Sequence, residues 1–121
     1  MSNKSNKEIC HSYLNKYAEK DLNGIEEMFS DHIVLRDWKI RVSGKEKAVD
    51  ETRKNFESVN TIAIEILSTY ESDDTVAAEL KITIDDSEEL YVVDVITIGT
   101  DHKIKSIRAY LGRGDEAPTV N

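Results

Sequence analysis

The stretch IAIEILSTYESDDTVAAELKITIDDSEELYVVDVITIGTDHKIKSIRAYL, residues 62–111, decides the fold. Its runs 62–70, 75–84, 90–98 and 104–111 are rich in β-branched and aliphatic residues, which suit a pleated, half-buried surface. Turn-forming clusters at 71–74, 85–87 and 99–101 separate them. Links this short join only antiparallel neighbours, so four strands in a meander are expected.

The period changes ahead of this block. Ile9, Cys10, Tyr13, Leu14 and Tyr17 recur at helical spacing over 7–19. Asp21 is an N-cap candidate for a second, short helix carrying Leu22, Ile25, Met28 and Phe29, stopped by Ser30 and Asp31. Residues 33–38 alternate as a strand, with Ile33, Leu35 and Asp37 on one face and Val34, Arg36 and Trp38 on the other. Ser43 and Glu46 have capping-box spacing for a third helix, supported by Ala48, Val49, Thr52, Arg53 and Phe56 and reaching about residue 57. Three helices preceding a long antiparallel sheet give an α+β domain whose helices cover one sheet face.

A chain of 121 residues is expected to be a single domain over 1–121, with 113–121 as a frayed tail. The net charge of −8 repels phosphate backbones and anionic lipid, which argues against nucleic acid and membrane partners. No apolar run is long enough to span a bilayer and the N-terminus lacks a signal-peptide core, so a cytoplasmic location is expected. Cys10 is the sole cysteine; it cannot form an internal disulfide, and its place on an apolar stripe suggests packing. His11, His32 and His102 do not have ligand spacing, and no metal or organic cofactor is expected.

Three residues stand out as candidates for chemistry. Asp94 is the only polar member of the row Leu90, Val92, Asp94, Ile96 and Ile98, and burial disfavours a carboxylate. It is then a neutral acid able to donate a hydrogen bond, an acid paired with a core cation such as Arg108, or an acid turned to solvent at a sheet end. Tyr13 lies on the buried helical stripe, where it is a packing residue or a hydroxyl donor. Asp37 ends a strand before an irregular stretch, a place for a turn former or an active-site carboxylate.

SYLNKYAEKDLNGIEEMFSDHIVLRD (12–37), SGKEKAV (43–49) and KSIRAYLG (105–112) resemble the Δ5-3-ketosteroid isomerase family, within the broader NTF2-like and SnoaL-like group. The resemblance covers nearly the whole chain. It implies a cone, with the helices packed in a strongly curved, mixed but mostly antiparallel sheet, and a pocket for a small apolar ligand. It also implies roles: Asp37 as the base that moves a proton, with Tyr13 and a protonated Asp94 as donors to the developing oxyanion. The sequence departs from the family where Trp38 follows Asp37 in place of proline, and where the sheet carries Glu65, Glu79 and Lys81. Trp38, Lys39 and Arg41 either close the pocket over a smaller or more polar ligand or form a solvated loop. Two other functions fit the fold: a non-catalytic ligand-binding domain, and epoxide opening with Arg108 set between aspartates. The family also implies a homodimer, for which Val93, Val95, Ala109 and Leu111 are expected on the sheet's outer face.

Overall fold

A computed structural model describes residues 4–114. The elements are α1 (Asn6–Ala18), α2 (Leu22–Met28), β1 (Phe29–Arg36), β2 (Arg41–Ser43), α3 (Lys45–Ser58), β3 (Ile62–Ser72), β4 (Thr75–Ile84), β5 (Glu88–Ile98) and β6 (Ile104–Leu111). They form the expected cone of helices in a mixed, curved six-stranded sheet of order β2-β1-β6-β5-β4-β3. β3 to β6 are the antiparallel meander, and β1 joins it parallel to β6. Of the tail expected over 113–121, residues 115–121 lie outside the described residues.

The helical joint is built by local chemistry. Ser5 and Glu8 close a capping box at the start of α1, satisfying two backbone donors that the first turn leaves open. Asp21 caps α2 by accepting from the Gly24 N–H at 3.0 Å. A side chain at position 24 would place its Cβ 2.4 Å from the Asp21 carboxylate, so the Asp-Leu-Asn-Gly run is the joint itself. The turns use positive φ where the strand twist demands it: Asp85 and Asp86, at φ 53° and 60°, make the mirror-image turn between β4 and β5. Asp85 also accepts from the Asn60 and Thr61 N–H groups, tying that turn to the start of β3.

Several expectations are corrected. Phe29 opens β1 and is not the last residue of the second helix. Ser43 does not cap the third helix: it is held in β2 opposite Val34, and Gly44, at φ 96°, is the N-cap with no side-chain hydrogen bond. Arg53 lies on the exposed side of α3, bonded to Asp50 and Glu57, while Ala48, Thr52 and Phe56 are buried. The charges noted in the sheet face outward: Glu65 stands opposite Lys81, which pairs with Glu89 at 3.3 Å. They leave the inner face of β3 and β4 to Ile62, Ile64, Leu80, Ile82 and Ile84.

The outer face differs from expectation at its edge. Residues opposite one another in a ladder share a face, and Ala109 pairs with Asp94 and Leu111 with Val92. Both therefore lie on the inner face, leaving Val93, Val95, Arg108 and Tyr110 outside. A register shift between Thr97 and Ile98 causes this, because one extra residue reverses the alternation that follows. Among the described residues no helix is long and apolar enough to cross a membrane.

Candidate active site

The core of the cone is aliphatic, with Ile25, Ile33, Leu80, Ile96 and Ile104 fully buried. Between this core and the open end of the cone lies a cavity of about 310 Å³, within the usual range for small-ligand sites. Leu35, Ile64, Leu80, Ile82, Val92 and Ile107 line much of it. Tyr13, Asp37 and Asp94, the three positions singled out in the sequence, all reach the same cavity. Each comes from a different part of the fold: α1, the turn just after β1 and the middle of β5.

Asp94 is a buried acid, 9% exposed, in the apolar row that its strand parity dictates. Burial, and after it the repulsion of the Asp37 carboxylate, raises its pKa from 3.8 to about 7. The pairing with Arg108 does not form, because Arg108 stands opposite Val95 on the other face of the sheet. Tyr13 is 4% exposed, and burial first, then Tyr17, Asp94 and Cys10, hold its hydroxyl well above 10.0. It stays a neutral donor across the physiological range. Cys10 is fully buried beside this group and is pushed up to about 12 by burial and then Asp94, so it packs as a thiol.

Asp37 is the turn former its position suggested, and its side chain also borders the cavity. Its Oδ1 accepts from the backbone N–H groups of Lys39 at 2.7 Å and Ile40 at 2.9 Å, and its own N–H donates to the Ile40 carbonyl at 3.0 Å. This turn fixes one carboxylate oxygen, and Oδ2 makes no hydrogen bond among the described residues. The turn also breaks the strand alternation, so Trp38, expected on the opposite face, comes to the cavity wall at 43% exposure. Lys39 joins it there, whereas Arg41 lies in β2 and does not line the cavity.

The helical wall of the cavity adds residues that were not among the sequence candidates. Tyr17 follows Tyr13 by four residues on α1 and lines the cavity beside it, with ring centroids 6.0 Å apart. Glu51, Asn55 and Ser58 of α3 line it as well. Their helical spacing was the available signal, but a polar face at that spacing reads as solvated surface.

The profile of the SnoaL-like domain matches residues 11–107, most of the chain and all of the cavity-bearing elements up to Ile107. The chain belongs to the SnoaL-like domain family. No curated protein matches it. Among solved structures, this SnoaL-like domain is similar to SalBIII, an epoxide hydrolase/cyclase-like enzyme of pyran ring formation in the polyether salinomycin. That pair has a TM-score of 0.77 at 24% identity, covering 88% of this chain and 90% of that one. An LEH-like epoxide hydrolase from M. tuberculosis gives 0.75 at 17%, covering 86% and 80%. A candidate ketosteroid isomerase from Kribbella flavida DSM 17836 gives 0.76 at 10%, covering 93% and 81%. At these identities the likeness is one of fold, and the chemistry of this SnoaL-like domain rests on its own side chains.

Proposed function

We propose that this SnoaL-like domain is a ketosteroid isomerase-like enzyme that moves a C=C bond into conjugation with a carbonyl, on a steroid or another small apolar ketone. The observation that carries the reading is the pairing of two carboxyls of opposite character in one apolar cavity. Asp94 is raised to about 7 by burial and by the neighbouring Asp37, while Asp37 has Oδ1 held by two backbone donors.

The steps follow from these positions. Oδ2 of ionised Asp37 takes a proton from the carbon between the carbonyl and the double bond. The electron pair released flows to the carbonyl oxygen, giving a dienolate. Tyr13 and neutral Asp94 donate hydrogen bonds to that oxygen, stabilising charge absent from the ground state. Asp37 then returns its proton to the far carbon of the former double bond, and the conjugated ketone leaves with the carboxylate regenerated. Tyr13 and Asp94 are buried among apolar side chains, where hydrogen bonds to a developing charge are stronger than in water.

The epoxide-opening alternative loses its expected arginine, since Arg108 is on the outer face. A binding domain without turnover remains the competing outcome. Tyr13→Phe separates the two readings, because it removes one donor without changing the ring packing against Phe29. Isomerisation of a β,γ-unsaturated ketone, followed by the absorbance of the conjugated product, is expected to slow about 100-fold or more in kcat. A variant as fast as the wild type would remove Tyr13 from the oxyanion site.

A further inference from the structure

The cavity holds a second set of hydrogen-bonding groups that the isomerisation above does not use. Tyr17 lies one helical turn from Tyr13 on the same face of α1. Its ring is fixed edge-on against Phe56, with centroids 4.9 Å apart and planes at 72°. Its hydroxyl accepts a hydrogen bond from Asn55 Nδ2 at 3.2 Å. A phenol that accepts from a neighbour still has its own O–H to give. Among the described residues no acceptor takes the Tyr17 proton, and Tyr17 and Asn55 both line the cavity.

We propose that Tyr17, oriented by Asn55, is a second recognition subsite that donates to an acceptor oxygen of the ligand remote from the reacting carbonyl. The substrate is then an oxygenated ketone, with a hydroxyl, ether or second carbonyl about one helical turn from the first oxygen, and not a plain hydrocarbon ketone. This assignment rests on the isomerase reading for the position of the first oxygen.

The arrangement around the subsite fits this class of ligand. The Tyr13 end of the cavity is closed by the core, with Tyr13 and Asp94 almost fully buried. The Tyr17 end adjoins Asn55, Ser58 and Glu51 on α3, a polar wall that can solvate a polar ligand group. Burial raises the Tyr17 hydroxyl above 10.0 against the lowering effect of Asn55, and the Asp94 and Asp37 charges raise it further. Tyr17 therefore remains a neutral donor.

A ligand pair differing in one acceptor tests the subsite: para-methoxyphenol and para-ethylphenol, of matched shape, titrated by ligand-observed NMR against wild type, Tyr17→Phe, Asn55→Asp and Asp94→Asn. The ratio of the two dissociation constants cancels changes common to both ligands. In Tyr17→Phe the ratio is expected to move about 3–10-fold against the methoxy compound, the value of one neutral hydrogen bond. Asn55→Asp is expected to move it in the same direction, because a carboxylate there accepts the Tyr17 proton and takes the donor out of the cavity. A ratio unchanged in either variant overturns the subsite. Asp94→Asn reports on the other end, and is expected to weaken both phenols alike without moving the ratio. If Asp94→Asn leaves both affinities intact while the Tyr17 effect persists, the isomerase reading fails and the subsite stands. No binding of either phenol by the wild type overturns both.

Discussion

Asp37→Asn is expected to abolish measurable isomerisation, lowering kcat by about 10³–10⁴-fold, the upper range for loss of a positioned general base. The amide has no basic oxygen to take the proton. It can still accept from the Lys39 and Ile40 N–H groups through its own carbonyl oxygen, so the turn at the cavity mouth should survive. The fold and the pocket are therefore retained, and binding of a phenol that mimics the dienolate should persist. The loss of the Asp37 charge also removes the second cause of the raised Asp94 pKa. In this variant Asp94 is expected to titrate lower than in the wild type, as followed by carboxyl carbon NMR. A variant that turns over within tenfold of the wild type would show that another group takes the proton.

Asp94→Asn has the second large effect, on stability. The folded protein holds the Asp94 proton up to about pH 7, whereas the unfolded chain releases it near 3.8. Between those values the folded state binds more protons than the unfolded state, so stability falls as pH rises and levels off above about 7. A separation of roughly three pH units corresponds to about 4 kcal/mol. Asparagine does not ionise, so the variant is expected to be more stable than the wild type at pH 8 by up to about 4 kcal/mol. Near pH 4 the two should be nearly equal. Urea unfolding at the two pH values measures the difference, and a variant equally or less stable than the wild type at pH 8 would show that Asp94 is not a destabilising buried carboxylate. The same substitution is expected to slow turnover, since an amide N–H donates less strongly than a carboxylic acid.

Much of this arrangement was legible in the sequence because two periodicities carry it. The two-residue alternation of β5 puts Asp94 among Val92, Ile96 and Ile98, and the structure buries all four together. The helical period puts Tyr13 on the inner stripe of α1, and the Asp21–Gly24 cap sets the joint that turns α2 towards the sheet.

Local geometry that breaks a period leaves no such signal in the sequence. The register shift near Ile98 reverses the faces of β6, which is why Ala109 was expected outside and stands opposite Asp94. The Asp37 turn ends the alternation of β1 and carries Trp38 to the cavity wall, a consequence of hydrogen bonds to one side-chain oxygen. β2 has three residues, too few to show a period, and its pairing with β1 is what keeps Ser43 from capping α3. Tyr17 and Asn55 meet only because α1 and α3 both border the cavity, a long-range contact that spacing along either helix cannot report.

The decisive measurement is the rate at which wild-type protein converts a Δ5-3-ketosteroid, or a simpler oxygenated β,γ-unsaturated ketone, followed by the absorbance of the conjugated product from pH 5 to 9. Conversion is expected to hold roughly level below pH 7 and then to fall about tenfold per pH unit, as Asp94, with its pKa of about 7, loses the proton that the isomerase reading has it donate. A protein that binds these ketones at every pH and converts none of them would overturn the isomerase reading.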